Sequence, residues 1–128
     1  MLSVKPTMET VPQVAAYVEE HLEKFGVSMK MTMRLLVVVD EIYSNIVRYS
    51  GASQAQIDLM KETDTLRITF RDNGTPYNPL DAEEPDVTAS AEDRPIGGLG
   101  IFMVRKMVDA INYGYSDGQN VLTIEMKA

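Results

Sequence analysis

A glycine-rich segment at residues 97–100, followed by a helix-patterned stretch, is the feature that most constrains how this chain folds. Three glycines in four residues let the backbone approach a ligand closely and adopt conformations closed to other residues. Apolar residues then recur at helical spacing at Ile101, Met103, Val104, Met107, Val108 and Ile111. A glycine turn at a helix start directs free N–H groups at one point, where the helix dipole favours an anion such as phosphate. The same pattern also occurs in plain chain reversals, so other segments decide between the two interpretations.

Size and composition restrict the class of protein. The chain has 128 residues, 45% hydrophobic and 24% charged, which predicts a single globular domain over residues 1–128. Its net charge of −7 argues against non-specific binding to nucleic acid or to an anionic membrane, since both require a basic surface. It contains no cysteine and one histidine, His21, which excludes disulfides, thiolate metal sites and multi-histidine metal sites. No apolar run is long enough to span a bilayer and no secretion signal is evident, so we expect a cytoplasmic protein.

The apolar periodicity predicts helices in the first part of the chain and mainly strands after it. Helices are predicted over 8–25, over 29–49, and from the glycine turn to about 111; strands are predicted over 55–61 and 65–72, with a second hairpin from Ile111 to Lys127 turning at Asp117-Gly118. Ser28 is a candidate N-cap for the second helix, and Gly51 ends it. The elements predict an α+β fold, a two-layer sandwich of an antiparallel or mixed sheet with helices on one face.

The second predicted helix carries a polar stripe on an otherwise apolar surface. Glu41, Asn45 and Arg48 follow at i, i+4 and i+7, which places them on one face of a regular helix. A carboxylate can act as a general base, and an amide oxygen is a hard ligand suited to Mg²⁺. The alternative is that Glu41 and Arg48 are simply solvated charges near one another.

The end of the predicted strand at 65–72 contains a second unusual polar group. Strand alternation places Asp72 on the same face as the apolar Ile68 and Phe70, where a carboxylate is costly unless it receives hydrogen bonds. The exocyclic amine of a purine would donate one, and Gly74 would let a flat ligand lie against the backbone. The alternative is an Asp-Asn-Gly turn in which Asp72 bonds its own backbone.

Taken in order, the three segments resemble the motifs of the GHKL (Bergerat-fold) ATPase superfamily. Residues 40–45, Asp-Glu-Ile-Tyr-Ser-Asn, resemble its N box; residues 72–79, Asp-Asn-Gly-Thr-Pro-Tyr-Asn-Pro, resemble its first glycine box; and residues 97–101 resemble its second. The small size, the Pro-Tyr-Asn-Pro ending and the run after the glycines are most similar to stand-alone anti-sigma factor serine kinases. The resemblance covers residues 8–127.

The resemblance implies a role for each candidate residue. Asp72 would bind the adenine amino group, Gly74 would lie under the ring, Asn45 would hold Mg²⁺, and Glu41 would be the general base. The phosphates of ATP would be wrapped by Gly97, Gly98, Leu99 and Gly100. Arg94 is the nearest arginine before this turn and the candidate for a γ-phosphate contact. The acidic segment 80–96 would be a lid over ATP.

The predicted function is an anti-sigma regulator that uses Mg·ATP to phosphorylate a serine or threonine of a small antagonist protein. By analogy it would alternately bind a sigma factor, without contacting nucleic acid or membrane directly, and homodimer formation is left open. The alternative is a nucleotide-gated protein-binding module without kinase activity. A detached ATPase half of a histidine kinase is a third interpretation, disfavoured because His21 lies in an ordinary amphipathic helix.

Overall fold

A computed structural model describes residues 1–81 and 98–127 of the chain. Its main elements in chain order are β1 (Leu2–Val4), α1 (Val11–Lys24), α2 (Met29–Asn45), β2 (Ala55–Glu62), β3 (Thr65–Asp72), α3 (Gly98–Met107), β4 (Ala110–Ser116) and β5 (Gln119–Lys127). Short 3-10 turns cover Met8–Thr10 and Pro79–Asp81, and a π-helical turn, Ile46–Ser50, extends α2. Among the described helices, none has the length and apolarity needed to cross a membrane.

The five described strands form one antiparallel sheet in the order β1-β2-β3-β5-β4. Burial alternates strictly along β3 and β5, so one sheet face carries the core residues Ile68, Phe70, Leu122 and Ile124. Residues of all three helices belong to the same hydrophobic core. The predicted α+β sandwich with helices on one face is confirmed, and the sheet is antiparallel.

Local signals set the helix ends much as the sequence predicts. Ser28 accepts a hydrogen bond from the backbone N–H of Met31 at 3.2 Å, which satisfies a free donor in the first turn of α2. At the other end Gly51 takes a left-handed conformation, φ 65°, and ends the π-helical turn. The prediction of a helix over 29–49 is therefore confirmed, with its last turn wound more loosely than an α-helix.

The second predicted hairpin is also confirmed. Asp117 and Gly118 both have positive φ, 54° and 73°, which is the backbone geometry that joins two twisted antiparallel strands by a two-residue turn. The turn fixes the register of β4 and β5, in which Ile111 pairs with Ile124. In the separate pairing of β3 with β5, Asp72 lies opposite Asn120.

Two predicted boundaries were wrong. The third helix ends at Met107, not near 111, and Ile111 lies within β4. Pairing with β5 overrides the apolar spacing here, since the Asp109 N–H donates to the Glu125 carbonyl at 3.0 Å. Gly98 and Gly100 lie in the first turn of α3, whereas the sequence suggested a turn before the helix. The rest of the predicted lid, 82–96, lies outside the described residues.

Candidate functional site

A cavity lies between the end of α2, the first turns of α3 and the inner face of the sheet. It is lined by residues from each of these elements, among them Asn45, Asp72, Tyr77, Ile101, Tyr113 and Asn120. Two of the predicted site residues, Asn45 and Asp72, therefore meet in one cavity although 27 positions separate them in the sequence. The fold brings the predicted N box and the first glycine box together.

Asp72 is buried at the end of β3, with 4% of its surface exposed. Its Oδ1 accepts hydrogen bonds from the Gly74 N–H and from Asn120 Nδ2, each at 3.0 Å. The bond from Gly74 is the one expected for an Asp-Asn-Gly turn. The alternative interpretation of this segment, in which Asp72 bonds its own backbone, therefore accounts for part of the geometry. Among the described residues, no hydrogen bond reaches the second oxygen, Oδ2, which leaves one acceptor of this cavity-lining carboxylate available to a ligand.

Gly74 packs the segment after β3 against the end of α2. A Cβ at this position would lie 2.2 Å from the carbonyl oxygen of Ser50, a contact that no side chain tolerates. The neighbouring Thr75 N–H donates to the same carbonyl at 2.9 Å. Ser50 is held in turn by the hydrogen bond from its Oγ to the Ile46 carbonyl, at 2.8 Å. The π-helical turn thus fixes one wall of the cavity.

Asn45, the last residue of α2, is buried at 3% exposure. Its side-chain oxygen has no hydrogen-bond partner among the described residues. Leaving a buried polar acceptor unpaired costs about 1–3 kcal/mol, so its presence in a cavity wall calls for an explanation outside ordinary packing. A ligand or metal ion that this oxygen contacts would provide one.

Glu41 lies one helical turn before Asn45 and contacts α3. A Cβ added to Gly100 would lie 1.9 Å from Glu41 Oε1, so the glycine leaves the space that this carboxylate occupies. The contact joins the predicted N box to the second glycine box at the start of α3. Arg48 lies in the π-helical turn and is exposed, and its charge, like that of Glu41, acts on Tyr77.

Asn120 is a site residue that sequence reasoning missed. Its side chain is 4% exposed and makes four hydrogen bonds: Nδ2 donates to Asp72 and, at 2.8 Å, to the Thr75 carbonyl, while Oδ1 accepts from the Tyr77 N–H at 2.9 Å and from the Tyr113 hydroxyl. The signal was available, since alternation along the last predicted strand places Asn120 on the same face as Leu122 and Ile124.

Two tyrosines of the cavity wall were missed as well. Burial raises the pKa of Tyr77, with smaller contributions from Tyr49, whose ring centroid is 5.4 Å away, and from Glu41. Burial likewise raises the pKa of Tyr113. Both phenols are therefore neutral at physiological pH and present apolar rings with a polar edge to the cavity.

The remaining predicted site residues are described in part or not at all. Gly97 and Arg94 lie outside the described residues, and Gly98 and Leu99 are described as backbone in the first turn of α3. Within residues 1–81 and 98–127, no three His, Asp or Glu side chains group together to form a metal site. The roles assigned to these residues stay predictions.

The cavity thus combines a buried carboxylate with a buried amide oxygen that has no partner among the described residues, next to a helix that begins with glycine. The sequence profile of the histidine kinase-like ATPase domain matches residues 4–126, and the chain belongs to this family. The predicted resemblance is confirmed.

Two of the relatives with similar sequences are named as protein kinases. The chain is 28% identical over 130 residues to the serine/threonine-protein kinase BtrW of Bordetella bronchiseptica, a match covering 96% of this chain and 88% of that protein. It is 27% identical over 105 residues to the serine-protein kinase RsbW of Listeria monocytogenes, covering 76% of this chain and 67% of the relative.

Solved structures agree on the fold. SiaB in the SiaB-SiaC complex from Pseudomonas aeruginosa superposes with a TM-score of 0.61 at 12% identity, covering 100% of this chain and 90% of the other. The Acinetobacter baumannii histidine kinase AdeS superposes with a TM-score of 0.59 at 15% identity, covering 99% of this chain and 68% of the other. At these identities the likeness is one of fold alone.

Proposed function

We propose that this protein is an ATP-dependent protein serine/threonine kinase that phosphorylates a small antagonist protein and, alternately, binds a sigma factor in the cytoplasm. The observation that carries the proposal is the meeting of Asn45 and Asp72 in one cavity, with Glu41 against the first turn of α3. The family membership and the kinase relatives support ATP as the phosphoryl donor.

At the sheet side of the cavity, Asp72 would bind the adenine amino group. Its Oδ1 is engaged by two donors, which leaves Oδ2 as the acceptor for the base. Gly74, with no side chain, would let the ring lie close to the backbone. Binding at this end would not depend on the number of phosphates, because ADP and ATP carry the same base.

At the helix side, Asn45 fits the requirement for a ligand to Mg²⁺. An amide oxygen is a hard donor, and this one is buried in the cavity wall without a partner among the described residues. Asn45 would hold Mg²⁺ on the phosphate side of the nucleotide. When bound, Mg²⁺ supplies positive charge that offsets the negative charge of the phosphates.

Glu41 would serve as the general base. In the transfer, the acceptor hydroxyl oxygen forms a bond to the γ-phosphorus, the bond from that phosphorus to the ADP oxygen breaks, and Glu41 takes the hydroxyl proton. Gly98, Leu99 and Gly100 at the start of α3, with Gly97, would donate backbone N–H groups to the phosphates. Arg94 would approach the γ-phosphate.

The experiment that tests the proposal is transfer of label from γ-labelled ATP. The purified protein is incubated with Mg²⁺ and with small candidate acceptor proteins encoded by neighbouring genes, and the modified residue is located by mass spectrometry. We expect a labelled serine or threonine on one acceptor. Tight binding of Mg·ATP without label on any acceptor that binds the protein would favour the nucleotide-gated binding module instead.

A further inference from the structure

We infer that Asn120 sets the preference for a 6-aminopurine by holding Asp72 as a hydrogen-bond acceptor, with Tyr113 fixing the orientation of the Asn120 amide. The inference rests on the proposed function, since it assigns the selection of the base to a residue that need not touch the nucleotide. Asn120 is accordingly a positioning residue.

The orientation of the Asn120 amide follows from its partners. The Tyr77 N–H can only donate, so the atom it meets at 2.9 Å must be the amide oxygen. The Tyr113 hydroxyl donates to the same oxygen. On the other side the Thr75 carbonyl can only accept, which requires the amide nitrogen there, at 2.8 Å. The four bonds are consistent with one orientation only.

This orientation determines the state of Asp72. The two residues lie directly opposite in the β3–β5 register, and the Asn120 nitrogen donates to Asp72 Oδ1 at 3.0 Å alongside the Gly74 N–H. Two donors on one oxygen fix the position of the carboxylate and leave its other oxygen, Oδ2, to the cavity. As an acceptor, Oδ2 suits the amino group of adenine and repels the carbonyl oxygen that hypoxanthine carries at the same ring position.

The test compares Asn120→Thr with Asn120→Val. The two side chains have nearly the same shape, but threonine keeps a donor beside Asp72 and valine does not. Affinities for ATP and inosine triphosphate are measured by calorimetry, and the ratio of the two affinities is compared because the contribution of the phosphates cancels in it. Thr123→Val, the same chemical change on the opposite face of β5, is the matched control.

We expect the ratio of Asn120→Thr to exceed that of Asn120→Val by about tenfold, because only threonine keeps a donor that holds the Asp72 carboxylate in place. Thr123→Val should keep the ratio of the wild type. Equal ratios in the two Asn120 variants would overturn the inference.

Tyr113→Phe keeps the test decisive if neither Asn120 variant folds. This variant retains the amide and loses one donor to its oxygen, and we expect the ratio to fall about threefold. An unchanged ratio would contradict the inference. If the wild-type protein binds neither nucleotide, the proposed function itself fails. If the wild type prefers ATP and the variants keep the same affinity ratio, only the role of Asn120 is rejected.

Discussion

The two ends of the cavity differ in how completely their polar groups are paired. At the base end, formed by Asp72, Gly74 and Asn120, hydrogen bonds connect the side chains to each other and to the backbone. At the helix end, formed by Glu41, Asn45 and Gly100, the Asn45 oxygen is buried without a partner among the described residues. Folding alone therefore holds the side chains of the base end in place and leaves Asp72 Oδ2 for the base, while the helix end is arranged for groups that a ligand brings.

The glycines of the two ends show the same contrast. A side chain at Gly74 would meet the carbonyl of Ser50, which belongs to the backbone of the π-helical turn and cannot move without disturbing α2. A side chain at Gly100 would meet the tip of Glu41, which can rotate away. The base end is therefore rigid because backbone packs against backbone there, and the helix end can adjust when a nucleotide binds because a side chain can move.

The largest expected effect is that of Glu41→Ala on phosphoryl transfer. Loss of a general base lowers the rate by about 10²- to 10⁴-fold, while ATP affinity should change little, because the proposed contacts to adenine and Mg²⁺ come from other residues. A time course with labelled ATP and the acceptor protein, beside an ATP titration, measures both. Asp40→Ala, which removes the adjacent exposed carboxylate, is the control, and transfer at the wild-type rate by Glu41→Ala would refute the assignment.

Gly74→Ala tests the rigidity of the base end. The added methyl group cannot avoid the Ser50 backbone, so we expect the free energy of unfolding to fall by about 1–3 kcal/mol or more. Urea denaturation followed by circular dichroism gives the value. Gly114→Ala is the matched control, since nothing lies within 4 Å of a Cβ at this position of β4, and its stability should stay within about 0.5 kcal/mol of wild type.

Asp72→Asn tests what the base end recognises. An asparagine that keeps its oxygen at the Oδ1 position still accepts from Gly74 and Asn120, so the fold should persist. Its nitrogen then replaces the acceptor Oδ2, and affinity for ATP and for ADP should fall by a similar factor, about tenfold or more. Titration calorimetry with both nucleotides measures this change. If the affinities for ATP and ADP are both unchanged, the assignment of Asp72 to the adenine amino group is wrong.

The smallest expected effect is that of Gly100→Ala on stability. The Glu41 carboxylate can swing aside, and alanine favours a helix over glycine by about 1 kcal/mol in helix interiors. The unfolding free energy should therefore lie between the wild-type value and about 1 kcal/mol above it. A loss as large as that of Gly74→Ala would show that the helix end is as rigid as the base end.

The features that depend on local periodicity could be predicted from the sequence. Alternation identified the buried side of Asp72, and helical spacing placed Glu41 and Asn45 one turn apart on α2. It could not foresee the π-helical turn, because looser winding depends on the packing of Ser50 against the segment after β3.

Two further features depend on contacts between residues that are far apart in the sequence. The end of α3 depends on the pairing of Asp109 with β5, which competes with a helical apolar pattern that continues to Ile111. The role of Asn120 depends on the register that sets it opposite Asp72. Alternation alone could have shown that Asn120 faces the core, but only the register shows which carboxylate it meets.

Amide hydrogen exchange with and without Mg·ATP tests the contrast between the two ends most directly. The N–H groups of Gly74, Thr75 and Tyr77 are hydrogen-bonded in the structure, so they should exchange slowly before nucleotide is added. The first N–H groups of an α-helix have no partner within it, and those at the start of α3 should become protected when phosphates bind. Two results would contradict the account. One is that the start of α3 stays unprotected after Mg·ATP is added, and the other is that Gly74, Thr75 and Tyr77 exchange fast without nucleotide and slow down only when Mg·ATP binds.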